Sequence, residues 1–473
     1  MADSQDLLEQ LRRAGGLPPQ AAAQVGIMGR DPVVRTHLKA AETGAAAIAA
    51  SGMAAAWLWS QAGHGEQQVS VDAHAAVAAM QSYKFMKIDG QPPGAVMDEL
   101  TNSYQLKDGR WIYLHCNFPN LAAANCKALG AQLDSASIRE QVAKWDGPAL
   151  EDAIFANGGV GAFVRSPAEW AASPQGRAAA AEPLLSIERI GDAPPEPLPR
   201  GDRPLSGLRV LDLTRVLAGP TCAKNLAEHG ADVLKISRPG LADSGVLDLE
   251  TGLGKLSAFI DMRDEAQMQT LRELISGCDV FSQAYRPGTL AARGLGPQDV
   301  AALRPGVVYV SLNAWGFNGS WSTRRGYDTV VQAANGFAWT GESTRPAFTT
   351  VAQQDYVAGY LMAYGAMCAL SRRVSEGGSW HVRVSLAACG EWIRGHGLLP
   401  LEQYADCPLQ VAPDRVEPWL QELPWNGRAL TVLGPVTHMS RTPTRWSRPV
   451  IDTGSSPAAW PHRPESKTNL RQT

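Results

Sequence analysis

A carboxylate at the start of an apolar helix is one side chain of the sequence that could carry chemistry. Asp355 precedes residues 356–370 (YVAGYLMAYGAMCAL), whose apolar and small side chains predict a buried helix. A carboxylate at this position can cap the helix and interact favourably with the helix dipole. It can also act as a nucleophile at the edge of a pocket, where Gly359 would let a ligand come close. The residues alone leave both interpretations open.

A turn that could bind a ligand follows the first strand of the second half. Residues 208–213 (LRVLDL) predict a buried strand, and residues 214–220 (TRVLAGP) follow it. Gly219 and Pro220 end this strand, and residues 221–229 predict a helix. Open α/β sheets bind ligands at the carboxyl ends of such strands. The glycine spacing fits neither a dinucleotide fingerprint nor an NTPase loop, so an ordinary tight turn stays an alternative to a binding site.

Basic side chains follow the other predicted strands of this half. Residues 232–237 predict the second strand, which ends next to Arg238, where NAD-binding proteins usually carry an acid. A guanidinium there suits a phosphorylated ribose or a pyrophosphate, because its donors match phosphate oxygens. Further basic residues at strand ends or turns are Lys255, Arg263, Arg286 and Arg293. Each alone is typical of a solvated surface charge, but together they favour an anionic ligand.

Several other function classes are disfavoured. His381, His396 and His438 have no metal-ligand spacing, so no metal site is predicted. No Ser-His-Asp or G-x-S-x-G pattern indicates a hydrolase. The 43 Lys and Arg against 46 Asp and Glu give a net charge of −3, which argues against nucleic acid or anionic membrane as a partner.

The cysteines and the apolar segments indicate the cellular compartment in which the protein is expected. Seven cysteines without a C-x-x-C pair are typical of a reducing compartment, so we expect a cytoplasmic protein. Residues 1–16 contain no signal-peptide core. Residues 41–59, which include Glu42, predict a packed helix and not a membrane span.

A proline-rich segment divides the chain into two parts. Residues 191–206 hold five prolines and predict a semi-extended linker. After it, strand-like runs alternate with helical patterns, which predicts an α/β fold with a doubly wound, mostly parallel, Rossmann-like sheet. Before it, residues 104–116 predict a β-hairpin with an Asp-Gly turn among Ala-rich helices. We therefore expect a smaller α+β domain at residues 1–190 and the Rossmann-like domain at residues 207–473.

A diverged internal repeat connects the two parts. Residues 42–72 and 355–385 each contain a small-residue helix, a glycine-containing turn and a V-x-V strand. In this register Glu42 aligns with Asp355. Since few residues are identical between the two segments, a chance similarity is the alternative explanation.

The second part resembles the family III CoA-transferases, the group that includes formyl-CoA transferase and the carnitine CoA-transferases. The segments that carry the resemblance, in the family's order, are residues 207–240, 284–296 (AYRPGTLAARGLG), 305–316 (PGVVYVSLNAWG), 325–336 (RGYDTVVQAANG) and 355–373. The resemblance implies a Rossmann-like CoA-binding domain with a smaller α+β domain, and a homodimer. It also implies transfer of CoA between an acyl-CoA thioester and a carboxylic acid.

The resemblance further implies roles for individual residues. Asp355 holds the place of the family's nucleophile, which forms an acyl-aspartyl anhydride and then an aspartyl-CoA thioester. The positions that match the family's CoA-binding residues are Val216, Leu217, Arg238, Arg263, Tyr285, Arg293 and Arg325. These side chains suit a ligand with an adenine ring and phosphates. The expected partners are acyl-CoA and a small carboxylic acid, with no permanently bound cofactor.

The sequence also departs from the family's pattern. Leu217 stands where formyl-CoA transferase has a polar residue, and Ala284 replaces an Asn, so oxalate is not the expected substrate. The region like the small domain comes first, so residues 42–72 look like the end of a first family copy whose Rossmann-like half is missing. A fused double transferase that lost its first half, or a rearranged transferase, would explain this order. Glu42 would then be a vestige of a nucleophile.

Two other functions stay open at this point. An α-methylacyl-CoA racemase has a related fold, but Tyr327, before Asp328, stands where that enzyme has its proton-shuttling His, so one base would be missing. A non-catalytic acyl-CoA-binding protein is the other alternative, because several CoA positions are altered. Replacement of Asp355 by alanine would abolish exchange in an enzyme while changing CoA binding only modestly.

Overall fold

The computed structural model describes residues 4–241 and 244–461. The strands of this part of the chain are β1 (Val25–Met28), β2 (Val69–Asp72), β3 (Lys87–Ile88), β4 (Asn102–Gln105), β5 (Trp111–Leu114), β6 (Gly161–Phe163), β7 (Ser186–Gly191), β8 (Arg209–Leu213), β9 (Asp232–Ser237), β10 (Lys255–Phe259), β11 (Val280–Gln283), β12 (Val308–Asn313), β13 (Ser379–Ser385), β14 (Leu420–Trp425), β15 (Arg428–Leu433) and β16 (Thr437–Met439). The α-helices are α1 (Ser4–Gly15), α2 (Ala40–Trp59), α3 (Ala73–Ala79), α4 (Pro119–Leu129), α5 (Ser135–Val142), α6 (Gly147–Ala156), α7 (Pro167–Ala172), α8 (Pro174–Ala181), α9 (Ala218–Glu228), α10 (Val246–Thr251), α11 (Glu265–Ser276), α12 (Pro297–Leu303), α13 (Asp328–Asn335), α14 (Gln353–Glu376), α15 (Leu386–Gly395), α16 (Leu401–Tyr404) and α17 (Pro413–Val416).

The main sheet has seven strands in the order β10-β9-β8-β11-β12-β13-β7. The first six are parallel, and β7 pairs with β13 in the antiparallel direction at the edge. Alternate residues of β8 belong to two different apolar cores, Val210 to one and Leu211 to the other, so both faces of the sheet are covered. The predicted α/β class with a mostly parallel, doubly wound sheet is confirmed.

Helix α9 begins at Ala218, three residues earlier than the sequence predicts. Pro220 fits its first turn, because the N–H groups there have no acceptor within the helix. At Gly219 a Cβ atom would lie 2.4 Å from Cβ of Thr214, so only glycine allows the turn to approach this closely. The Gly-Pro pair therefore starts the helix and brings it close to the end of β8.

The predicted hairpin at residues 104–116 is present. β4 pairs antiparallel with β5, and β6 adds a third strand. Gly109 of the turn has a φ of +84°, which favours glycine. Helices α4, α5 and α6 surround a separate core that includes Leu129, Ile138 and Leu150. This part of the chain is thus a small α+β unit with its own apolar interior.

Both segments of the internal repeat have the same structure. In each, a long helix (α2 or α14) leads into a strand (β2 or β13). The order β1-β2-β16, with a parallel and then an antiparallel pair, matches β12-β13-β7. Gln353 Nε2 donates to Thr43 Oγ1 at 2.6 Å near the helix starts, and Trp57 Nε1 to Ser371 Oγ at 3.1 Å near the ends. The two helices therefore lie side by side in the same direction.

The two parts of the chain share a core. Ile48 of α2 and Leu361 of α14 are buried in the same apolar cluster, and β7 completes the main sheet from before the linker. Residues 192–208 contain no helix or strand. The domain boundaries at 190 and 207 stay a prediction. Within residues 4–241 and 244–461, none of the helices combines the length and the apolar character needed to cross a membrane.

Candidate active site

A cleft of about 720 Å³ lies at the carboxyl ends of β8, β9, β11 and β12. Parallel strands all end at this edge, which is the usual ligand site of open α/β sheets. The loops after these four strands form one wall. The start of α4, from Phe118 to Leu121, forms the opposite wall. The cleft therefore lies between the Rossmann-like half and the small α+β unit of the same chain.

The turn between β8 and α9 contributes four consecutive residues to the wall, from Arg215 to Ala218. Val216 has a φ of +71°, a left-handed conformation that is strained for a β-branched residue. Leu217 is buried and directly precedes α9. Strain of this kind persists only where neighbouring contacts fix the backbone, and it is common at ligand sites.

Asp355 lies in the first turn of α14, where it is half-buried and lines the cleft. Gly359, one turn later, does not face the cleft. A Cβ atom there would lie 2.6 Å from the carbonyl oxygen of Ala218 and 2.8 Å from Cβ of Thr221. The hypothesis that Gly359 admits a ligand is therefore wrong, since its missing side chain lets α14 pack closely on α9.

A second carboxylate supports the start of α14. Asp328, buried at the start of α13, accepts hydrogen bonds from the backbone N–H groups of Gln354 and Asp355. Gln332 Nε2 donates to Asp328 Oδ2 at 2.6 Å, and Gln354 Nε2 donates to Oδ1 at 3.2 Å. Asn335 Nδ2 in turn donates to Gln354 Oε1 at 2.8 Å. This buried network fixes the helix start that carries Asp355.

The environment of the two carboxyl groups makes both more basic than usual. Burial raises the pKa of Asp328 to about 6, against the effect of its hydrogen bonds. Burial and the Asp328 charge raise the pKa of Asp355 well above its ordinary value. A more basic carboxylate is a better nucleophile once it is ionised. Asp355 thus combines access to the cleft with perturbed basicity, which is typical of a reactive group.

Aromatic side chains from before the linker pack against residues of the Rossmann-like half. His115 stacks on Tyr327 with ring centroids 4.0 Å apart. The Arg215 guanidinium lies 5.2 Å from the ring centroid of Phe118. Tyr83 lies close to the two carboxylates, whose charges act with burial to raise its pKa to about 12. The surroundings of Asp355 therefore come from both parts of the chain.

Six of the eight residues predicted for the site lie together in the cleft wall. They are Val216, Leu217, Arg238, Tyr285, Arg325 and Asp355. Arg263 does not line the cleft: its Nε donates to Asp261 Oδ1 at 2.9 Å, and its side chain is 65% exposed. Arg293 does not line it either, and its Nη1 donates to the carbonyl oxygen of Met262 at 3.1 Å. A role of these two residues in binding CoA stays a prediction.

The cleft is strongly cationic. Among its described lining residues, five are arginines and Asp355 is the only acidic residue. The arginines are Arg215, Arg238, Arg286, Arg324 and Arg325. Three of them were not predicted as site residues, although Arg286 was noted as basic and Arg215 belongs to the turn motif. Such a wall suits a ligand with several negative charges.

The α4 contribution could not be read from the sequence. Phe118 and its neighbours follow the hairpin, and their types are typical of an ordinary helix start. They lie in the cleft wall because the small unit packs over the carboxyl edge of the sheet, which no local pattern indicates. In the sequence, Asp328 was mentioned only because the residue before it, Tyr327, stands where a racemase has its histidine.

Residues 19–192 and 205–399, which make up more than half of the chain, match CoA-transferase family III. The chain belongs to this family. Among its curated relatives, acetyl-coenzyme A transferase nodX of Hypoxylon pulicicidum is 31% identical over 324 residues, which are 62% of this chain and 54% of the relative. Succinyl-CoA:glutarate CoA-transferase of Homo sapiens is 38% identical over 181 residues, 35% of this chain and 41% of the relative. The chain thus spans about half the length of these family members, or less.

Two solved structures match part of the chain. The protein Rv3272 from Mycobacterium tuberculosis has 30% sequence identity and a TM-score of 0.39, over 41% of this chain and 58% of that chain. A CAIB/BAIF family protein from Brucella suis has 25% identity and a TM-score of 0.38, over 50% of this chain and 66% of that chain.

Proposed function

We propose that the protein transfers CoA from an acyl-CoA thioester to a free carboxylic acid, with Asp355 as the nucleophile. The observation that carries this proposal is the position of the Asp355 carboxylate in a cleft with five arginines, at the carboxyl edge of the sheet. Guanidinium groups suit the phosphates of CoA, and a carboxylate suits attack on a thioester. Membership of CoA-transferase family III supports the same activity.

The reaction begins with the donor. A carboxylate oxygen of Asp355 attacks the thioester carbonyl carbon, the carbon–sulfur bond breaks, and CoA leaves as a thiolate. The product is a mixed anhydride of the acyl group and Asp355. The thiolate then attacks the aspartyl carbonyl carbon, which releases the donor acid as a carboxylate and leaves an aspartyl-CoA thioester.

The acceptor reverses these steps. Its carboxylate attacks the aspartyl thioester, displaces the thiolate and forms a second anhydride with Asp355. The thiolate attacks the acceptor's acyl carbon, which forms the new thioester and frees the Asp355 carboxylate. No net proton transfer is needed, so the protein's task is to hold CoA and align carbonyl groups.

The cleft wall supplies the positions for CoA. We assign Arg238 and Arg325 to its phosphates and Tyr285 to packing against the adenine ring. The turn with Val216 and Leu217 lies beside the pantetheine arm. Arg293 and Arg263, which do not line the cleft, are assigned outer contacts with the phosphates.

The names of the relatives supply the first substrates to test. Relatives are named for acetyl-CoA, succinyl-CoA and glutarate, so these are the first donors and acceptor. The comparisons do not favour racemase activity. The proposal includes a homodimer in the cytoplasm. Light scattering tests the dimer. The cleft itself does not require a second chain, because both of its walls come from one chain.

Trapping of the covalent intermediate tests the proposal. The protein is incubated with each acyl-CoA, treated with hydroxylamine and digested, and the peptides are analysed by mass spectrometry. A hydroxamate on the peptide with Asp355 is expected, and Asp355→Asn should abolish it. Glu42→Gln is the matched control, because Glu42 holds the equivalent place in α2 and does not line the cleft. CoA binding without any modified peptide would instead indicate a non-catalytic acyl-CoA-binding protein.

A further inference from the structure

A buried ion pair lies beneath the turn between β8 and α9. The side chains of Lys255 and Asp212 are 1% and 0% exposed. Lys255 Nζ donates to Asp212 Oδ2 and to the carbonyl oxygen of Pro220, both at 2.8 Å. The backbone N–H of Thr214 donates to Asp212 Oδ1 at 2.9 Å. The pair therefore connects the end of β8, the start of the turn and the first turn of α9.

Stability alone is a poor reason for such a pair. Two charges without solvent contact pay a desolvation penalty that well-packed apolar side chains of similar volume would avoid. The pair is, however, suited to fixing a backbone, because its hydrogen bonds reach both ends of the turn. That turn contains Val216 with a φ of +71°, a conformation that must be held by its surroundings. Neither Lys255 nor Asp212 lines the cleft.

We propose that Lys255 and Asp212 are positioning residues for CoA binding. They hold residues 215–218 in the conformation in which these residues form the cleft wall. Lys255 clamps the strand end to the helix start, and Asp212 fixes the first residue of the turn. The inference rests on the proposed function, because it takes CoA as the ligand of the wall.

A matched pair of substitutions separates positioning from stability. Lys255→Met removes the clamp at the carboxyl edge of the sheet. Arg373→Met removes an equally buried cation at the opposite edge, where Arg373 Nη1 donates to Asp279 Oδ1 at 3.0 Å. Both variants should lose stability, since each removes a cation from a buried carboxylate. Asp279 keeps a second cation, Arg304, whose Nη2 lies 3.5 Å from Asp279 Oδ1, so the loss should be smaller for Arg373→Met. Calorimetric titration with CoA should show about tenfold weaker binding for Lys255→Met, as expected for the loss of a charged hydrogen bond, and no change for Arg373→Met.

The double variant Asp212→Asn/Lys255→Met makes the test independent of a folding defect. It leaves no unpaired buried charge, so its stability should recover relative to Lys255→Met. Its affinity for CoA should stay low, because the contact with the Pro220 carbonyl is still missing. Recovery of affinity together with stability would overturn the inference, as would equal affinity of Lys255→Met and the wild type. Wild-type protein that does not bind CoA would overturn the proposed function as well.

Discussion

Replacement of Gly359 by alanine should displace Asp355, the proposed nucleophile, without changing it. Gly359 lies one turn after Asp355 in α14, so both residues are on the same side of the helix. The new Cβ atom would lie 2.6 Å from the carbonyl oxygen of Ala218 in α9. Since ordinary contact begins at 3.4 Å, α14 and α9 must separate by about 0.8 Å at this point. The shift occurs one helical turn from the reacting carboxylate.

The shift should affect rate more than stability. Overpacking costs about 1–3 kcal/mol, whereas alanine gains about 1 kcal/mol over glycine in helix propensity. A net loss of up to about 2 kcal/mol in the free energy of unfolding is expected. A misplacement of about 1 Å lowers a rate by roughly a hundredfold. We expect kcat for CoA transfer to fall by about tenfold to a hundredfold, with KM for acyl-CoA little changed.

Gly365→Ala in the same helix is the control. Its Cβ would lie 2.6 Å from Cγ1 of Val382 and 2.7 Å from Cδ1 of Leu185, so the crowding is similar, but these are side-chain methyl groups and not a backbone oxygen. Urea unfolding and steady-state kinetics are measured for both variants. Unchanged kcat in Gly359→Ala despite a loss of stability would refute the reasoning. An equal decrease of kcat in Gly365→Ala would show that the effect is not specific to the contact with α9.

Three further predictions concern the replacement of single charged side chains. Because burial and the Asp328 charge raise the pKa of Asp355, kcat/KM should rise with pH as Asp355 ionises, and Asp328→Asn should move this rise to lower pH by removing the second cause. Arg238→Ala should raise KM for acyl-CoA about tenfold but leave that for an acyl-pantetheine unchanged, since the guanidinium is assigned to the phosphates of CoA. Burial raises the pKa of Glu228 from 4.5 to about 7, so the folded state binds more protons between these values and stability falls as pH rises through them. Glu228→Gln should remove this fall, on the order of 3 kcal/mol, in urea unfolding on either side of the window.

The elements that local patterns determine could be predicted. Apolar strand-like runs that alternate with segments of helical periodicity indicated the parallel sheet, and the Asp-Gly pair indicated the hairpin of β4 and β5. Placement of distant segments could not be predicted. β7 and β16 are antiparallel edge strands, β7 from before the linker and β16 from near the end of the second part, and neither pairing has a local signal. The wall formed by α4 depends on such placement, which is why its residues were missed.

The first half of the chain contains a counterpart of Asp328, which an alignment of the two repeat segments without gaps does not show. Asp31 accepts hydrogen bonds from the backbone N–H groups of Ala41 and Glu42, both at 2.9 Å. Asp328 accepts the same pair of bonds from the start of α14. Burial raises the pKa of Asp31 to about 6 as well. In the sequence, each of these aspartates is followed, after one intervening residue, by two valines. The number of residues between the aspartate and its helix differs between the two copies. An alignment without gaps therefore pairs Glu42 with Asp355 but does not pair Asp31 with Asp328.

The comparison of Glu42 with Asp355 shows that an active site needs more than a carboxylate at the start of a helix whose N–H groups bond to an aspartate. Glu42 has the helix position and the supporting aspartate that Asp355 has. Its carboxylate, however, forms an ion pair with Lys39 at 3.2 Å, and Leu38, which precedes Lys39, forms a β-bridge with Leu398. The sheet β1-β2-β16 has, among the described residues, no counterparts of β8, β9 and β11. Because the loops after those strands supply most of the arginines of the cleft, the chemistry assigned to Asp355 depends on the sheet edge beside it as much as on the carboxylate itself.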